Sequence, residues 1–158
     1  MNKPVAAPET VRLPMEALSP LLLDCLAQGQ EVVLPVTGNS MTPFLRHGQD
    51  QVVLAACDAT ALRRGDVPLY RRESGQYVLH RIVRRVEKPH LTYIMLGDAQ
   101  WIEEPGIAPE QVLACAVGFV RDGKRYSCRS LRYRLRVGLW QLLRPCRRWL
   151  MAVWRRIG

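Results

Sequence analysis

The sequence predicts a mainly β fold: a curled or barrel-like antiparallel sheet of short strands, preceded by a short helix and followed by a basic amphipathic helix. Three observations carry this expectation. Glycine and proline, 11 of each in 158 residues, are spread along the chain, which favours short elements joined by turns. Between Glu31 and Cys128, short runs rich in Val, Ile, Leu and Tyr are punctuated by Gly, Pro and Asp. On either side of that region apolar residues return at helical spacing instead. A hydrophobic content of 48% sits in the range of globular proteins and argues against wholesale disorder.

Taken in order, residues 1–12 read as a loose arm. Met15 to Gln28 reads as a helix, because Leu18, Leu22, Cys25 and Leu26 share one face and Gly29 follows as a stop. Pro20 is expected in its first turn, where a missing N–H costs little. Strands are expected over Glu31–Val36, Gln51–Ala55, Val67–Arg72, Tyr77–Val86, Leu91–Leu96, Val112–Arg121 and Arg125–Cys128. Asp122-Gly123 marks a tight hairpin between the last two. From Ser130 to Ile157, Leu135, Leu139, Leu142, Leu143, Cys146, Trp149, Leu150, Val153 and Trp154 recur at helical spacing with Arg between them, and Pro145 should kink or divide this helix. The chain thus divides into an arm and helix (1–29), a β domain (30–128) and a basic helical tail (129–158).

The net charge of +9 is unevenly placed. From Arg129 onward there are nine Arg and no Asp or Glu, so the preceding residues are charge-balanced. A basic tail on a neutral body suggests docking on an anionic surface, and the neutral body disfavours nucleic acid as a partner. Cys25, Cys57, Cys115, Cys128 and Cys146 include no CxxC pair, so they read as small core residues in a reducing compartment, with no metal or cofactor expected. The N-terminal residues carry prolines and acidic side chains where a secretory leader needs an apolar run. No stretch reaches the ~18 uninterrupted apolar residues of a spanning helix, so a cytoplasmic or peripheral membrane location is expected.

The segment Thr37-Gly38-Asn39-Ser40-Met41-Thr42-Pro43 stands out as a loop leaving a strand. Alone it reads as an ordinary turn whose serine bonds its own backbone. A nucleophilic Ser40 would need a base. Lys3, Lys88 and Lys124 all lie in arm or turn segments, where burial cannot lower an ammonium pKa. His47 and His90 also sit in turns and are expected to be solvated. His80 lies inside the apolar run Tyr77–Val83, where a lone histidine reads first as a half-buried structural one.

Four motifs occur in order: Gly38-x-Ser40-Met41-x-Pro43, Arg64-Gly65-Asp66-Val67, Leu79-His80-Arg81-Ile82-Val83 and Gly97-Asp98-Ala99. Together they resemble the successive sequence boxes of the type I signal peptidase family, which is similar in fold to the self-cleaving SOS-repressor proteases. The resemblance covers roughly residues 30–123. Bacterial members of that family carry a Lys in the third box, whereas the Ser–His branch carries a His, as here.

The resemblance implies a serine endopeptidase in which Ser40 attacks the peptide carbonyl and His80 is the general base. It implies an acidic partner for His80, with Asp98 the favoured orienter and Glu104, seven residues after Gly97, the second candidate. The Ser40 N–H is the expected oxyanion donor, with Asn39 beside it. Some relatives place a hydroxyl two residues before the nucleophile, where this chain has Gly38. Met41 and Pro43 are expected to hold the loop, and Asp66 to tie a turn.

An extended leader or signal-like peptide is the implied substrate. The tail is read two ways, as an interfacial helix on an anionic membrane or as a helix packed on the body. Two other functions compete with the peptidase: a non-catalytic peptide-binding module and a self-cleaving regulator. The regulator ranks last, because the region before residue 30 is short for a DNA-reading domain and the chain has no Ala-Gly dipeptide.

Overall fold

A computed structural model describes residues 15–146 and is mainly β. The arm at 1–12 and the tail positions Trp149, Leu150, Val153 and Trp154 lie outside the described residues.

Helix α1 (Met15–Ala27) leads into β1 (Val32–Pro35), β2 (Asp50–Ala55), β3 (Pro68–Arg71) and β4 (Tyr77–Leu79). Strands β5 (Arg81–Val86), β6 (Thr92–Leu96), β7 (Glu104–Ile107), β8 (Val112–Arg121) and β9 (Lys124–Ser127) follow, then helix α2 (Leu131–Leu142). The larger sheet runs β1-β2-β8-β3-β4, with β9 also on β8, and β5-β6-β7 form a second sheet. All pairings are antiparallel. The long strand β8 organises the larger sheet: β2 lies along one edge, while β3 and then β9 share the other.

Side chains alternate across this sheet, as strand geometry requires. Leu69 and Ala114 enter a core beneath α1, with Leu22, Leu26, Val52 and Leu54. Their neighbours Tyr70 and Cys115 enter a second core against Ile82, Tyr93 and Met95 of the smaller sheet. The larger sheet is therefore covered by α1 on one face and the smaller sheet on the other.

Four expectations need correction. Tyr77–Val86 is not one strand. It breaks at His80, and β4 and β5 belong to different sheets, so His80 sits where the chain crosses between them. The apolar alternation runs through the break, and no Gly or Pro marks it. Pro20 lies in the second turn of α1 rather than the first. Strand β7 (Glu-Pro-Gly-Ile) escaped the sequence reading because Pro and Gly disfavour strands; it is tolerated as an edge strand beyond β6. His47, though exposed, is not merely solvated: its Nδ1 accepts the Gly38 N–H at 2.9 Å.

The Asp122-Gly123 hairpin forms as expected, with both residues at positive φ (51° and 72°). Helix α2 is capped by the Ser130 side chain, which accepts the Tyr133 N–H, and Pro145 falls in a short 3-10 turn after it. Tyr133, Val137 and Trp140 of α2 face the body. Val137 is buried, and Phe44 meets the rings of Tyr133 and Trp140 edge-on. No helix of the described residues is long and apolar enough to cross a membrane.

Candidate active site

Ser40 lies in the loop between β1 and β2, at the entrance to a tight turn. Phe44 and Leu45 N–H both donate to the Met41 carbonyl, and Met41, Thr42 and Leu45 are buried. This turn fixes the loop from below. From above it is held by its own backbone: the Ser40 carbonyl accepts the Ala99 N–H at 2.8 Å. That contact explains Gly97. A Cβ there would sit 2.7 Å from the Ser40 carbonyl oxygen and 2.7 Å from Gln100 Oε1, so no larger residue fits. The first and last sequence boxes are thus in direct contact. The Ser40 N–H has no acceptor among the described residues.

The two middle boxes are also stitched together. Gly65 N–H donates to the Ile82 carbonyl, and Ile82 N–H donates to the Asp66 carbonyl. The Asp66 carboxylate accepts the Arg63 N–H at 2.8 Å, closing its own turn. Asp66 therefore acts within the scaffold.

His80 is buried. With Ser40 it lines one cleft of about 450 Å³, together with Gly38, Met41, Tyr77 and Gln100. Asn39 is exposed, and its carbonyl accepts the Thr42 N–H. Pro43 follows a cis peptide bond after Thr42. No hydrogen bond joins Ser40 directly to His80 among the described residues.

The surroundings of His80 Nδ1 are more elaborate. This nitrogen lies 3.4 Å from the Tyr70 hydroxyl and 3.9 Å from Glu104 Oε2. Tyr70 donates to that same Glu104 oxygen at 2.7 Å. Arg72, which also lines the cleft, grips Glu104 with Nε and Nη2, both at 2.6 Å. The Tyr70 proton is therefore committed to Glu104, and its oxygen is left to accept from Nδ1–H. In that tautomer the lone pair of His80 is on Nε2.

Burial holds the His80 pKa below its ordinary 6.5, with Glu104 pulling it back part of the way. The Arg72 pair and the Tyr70 hydrogen bond hold Glu104 below the usual carboxylate range despite partial burial. Burial first, and Glu104 next, push the Tyr70 phenol up, so it stays a donor. The site thus contains a neutral imidazole, a neutral phenol and an ionised carboxylate at neutral pH.

The expectation that Asp98 orients His80 needs revision. Both Asp98 carboxylate oxygens are engaged by Arg81, at 2.8 Å to Nε and 2.6 Å to Nη2, and both residues are buried. Arg81 also donates to the Gly65 carbonyl and reaches the Tyr133 hydroxyl. Asp98 anchors this network, and its backbone carbonyl accepts the Trp140 indole N–H. Glu104 is the carboxylate beside Nδ1.

Tyr70 and Arg72 were not legible as site residues. Tyr70 sits in β3 and Arg72 just after it, and only the pairing of β3 with β4 and the placement of β7 bring them to His80. No family model matches this sequence, and no curated protein does either.

Proposed function

We propose that this chain is a serine endopeptidase that cuts an extended leader or signal-like peptide, with Ser40 as nucleophile and His80 as general base. The observation that carries this reading is the shared cleft: a loop hydroxyl and a buried, neutral imidazole line the same cavity. Abstraction of the Ser40 proton by Nε2 leaves an imidazolium whose Nδ1–H faces Tyr70 and Glu104, so the new charge develops beside a carboxylate. His80 then returns the proton to the leaving amine. The Ser40 N–H is the backbone donor to the oxyanion. Glu104 is the orienting carboxylate, acting through Tyr70, and Asp98 is structural. A direct Ser40–His80 hydrogen bond is left to form in the substrate complex, where such contacts commonly tighten.

A second reading is a peptide-binding module without turnover. The open Ser40–His80 gap and the absence of a hydroxyl at Gly38 favour it. A library of short peptides incubated with wild type and Ser40→Ala separates the two. The proposal expects cleavage by wild type alone. Binding without cleavage by either protein supports the module.

A further inference from the structure

We infer that the outer face of α2 docks the protein on an anionic lipid bilayer. Helix α2 has two apolar faces rather than one. Its inner face, Tyr133, Val137 and Trp140, is used against the body. Its outer face is a stripe of Leu131, Leu135, Leu139 and Leu142, which are 70%, 63%, 58% and 75% exposed. Their spacing keeps them on one side of the helix. A helix needs only one apolar face to pack on a domain, and a second, exposed apolar stripe rimmed by charge marks an interaction site.

The charges around the stripe identify that partner. Arg132 and Arg136 flank it on one side and Arg134 on the other, by the 3.6-residue period. No described carboxylate pairs with any of the three. Beside the stripe, a groove of about 790 Å³ between α2 and β9 has an apolar floor that includes Phe119, Tyr126 and Leu143, and Arg125, Arg132 and Arg136 at its edge. From Arg129 to the last residue the sequence contains no Asp or Glu. Leucines with cationic flanks match the layering of an anionic bilayer, where acyl chains lie beneath phosphates and long Arg side chains reach the headgroups. A nucleic acid offers the phosphates but nothing to cover four leucines.

Docking has a consequence that rests on the proposed function. The inner face of α2 touches Phe44, in the turn that begins at Ser40, and the Asp98 carbonyl. A membrane-bound α2 therefore holds the Ser40–His80 cleft close to the bilayer, within reach of peptides presented there.

The test is flotation of the full chain with vesicles of phosphatidylcholine alone or with about one third phosphatidylglycerol. Four proteins are compared: wild type, Leu135→Glu/Leu139→Glu, Arg132→Gln/Arg134→Gln/Arg136→Gln, and Ser40→Ala. The leucines are exposed, so the fold should persist, and circular dichroism checks it. Wild type and Ser40→Ala should float with anionic vesicles only, and the leucine and arginine variants should lose at least tenfold in recovery. Equal recovery of the leucine variant and wild type overturns the proposal, as does equal recovery on neutral vesicles. If wild type instead self-associates in sedimentation without lipid, and the leucine variant does not, the face is a dimer interface and the proposal fails. Because Ser40→Ala must float like wild type, failure of docking and failure of the peptidase reading are distinguishable.

Discussion

Glu104 Oε2 stands 3.9 Å from His80 Nδ1, and the Tyr70 hydroxyl, 2.7 Å from that oxygen, joins the two. The link runs from a carboxylate through a phenol to an imidazole. Both contacts fall on the Nδ1 side of the ring.

Glu104→Gln should slow cleavage by roughly 10²- to 10⁴-fold, the range in which a positioned base and its orienter act. Glu104 raises the His80 pKa, so its removal should also move the acid limb of the rate profile to lower pH. Measuring kcat/KM against pH for both proteins checks this. An acid limb that shifts upward would place the carboxylate's influence elsewhere.

Tyr70→Phe keeps the ring in the second core but removes the acceptor for Nδ1–H and the donor to Glu104. A loss of about 100-fold in kcat is expected, the lower end of a general-base contribution, with KM little changed. Steady-state kinetics on a selected peptide give the split.

Asp98→Ala tests the revised assignment. It strips Arg81 of its partner deep in the protein, and an unpaired buried charge costs about 3–5 kcal/mol. Urea unfolding should show this loss, whereas Glu104→Gln, at a partly exposed pair, should cost far less. Similar stability of the two variants would contradict the division of labour between the carboxylates.

Stability should also follow the His80 proton. The folded protein holds this pKa below 6.5, so as pH falls the unfolded chain binds the proton first. The contribution of neutral His80 is complete above about 6.5 and declines as pH drops from there through the folded value. His80→Gln should flatten that part of the curve in unfolding experiments run from pH 8 to 5.

Much of this was legible in the sequence. Period-2 runs and turn residues marked seven runs that cover eight of the nine strands, with β4 and β5 merged into one, because a half-buried sheet writes its two faces into alternate positions. The four motifs singled out Ser40 and His80, which line one cleft. What the sequence hid depends on long-range pairing. Arg81 captures Asp98 only because β5 and the loop after β6 meet, a pairing the motif spacing could not show. Glu104 reaches Tyr70 through β7, a strand whose Pro-Gly pair disguises it. In α2 the apolar spacing was visible. Which residues face inward was not, because Leu and Trp satisfy the same period and only the body selects Tyr133, Val137 and Trp140.

The most direct test of the central claim, that Ser40 and His80 work as one pair, is a double-mutant comparison of peptide cleavage rates. Ser40→Ala, His80→Ala and the double variant are measured on the same substrate, with folding verified for each. The pair predicts that each single change removes nearly all activity and that the double variant loses no more than either alone. Undiminished cleavage by Ser40→Ala, or losses that multiply in the double variant, would contradict it.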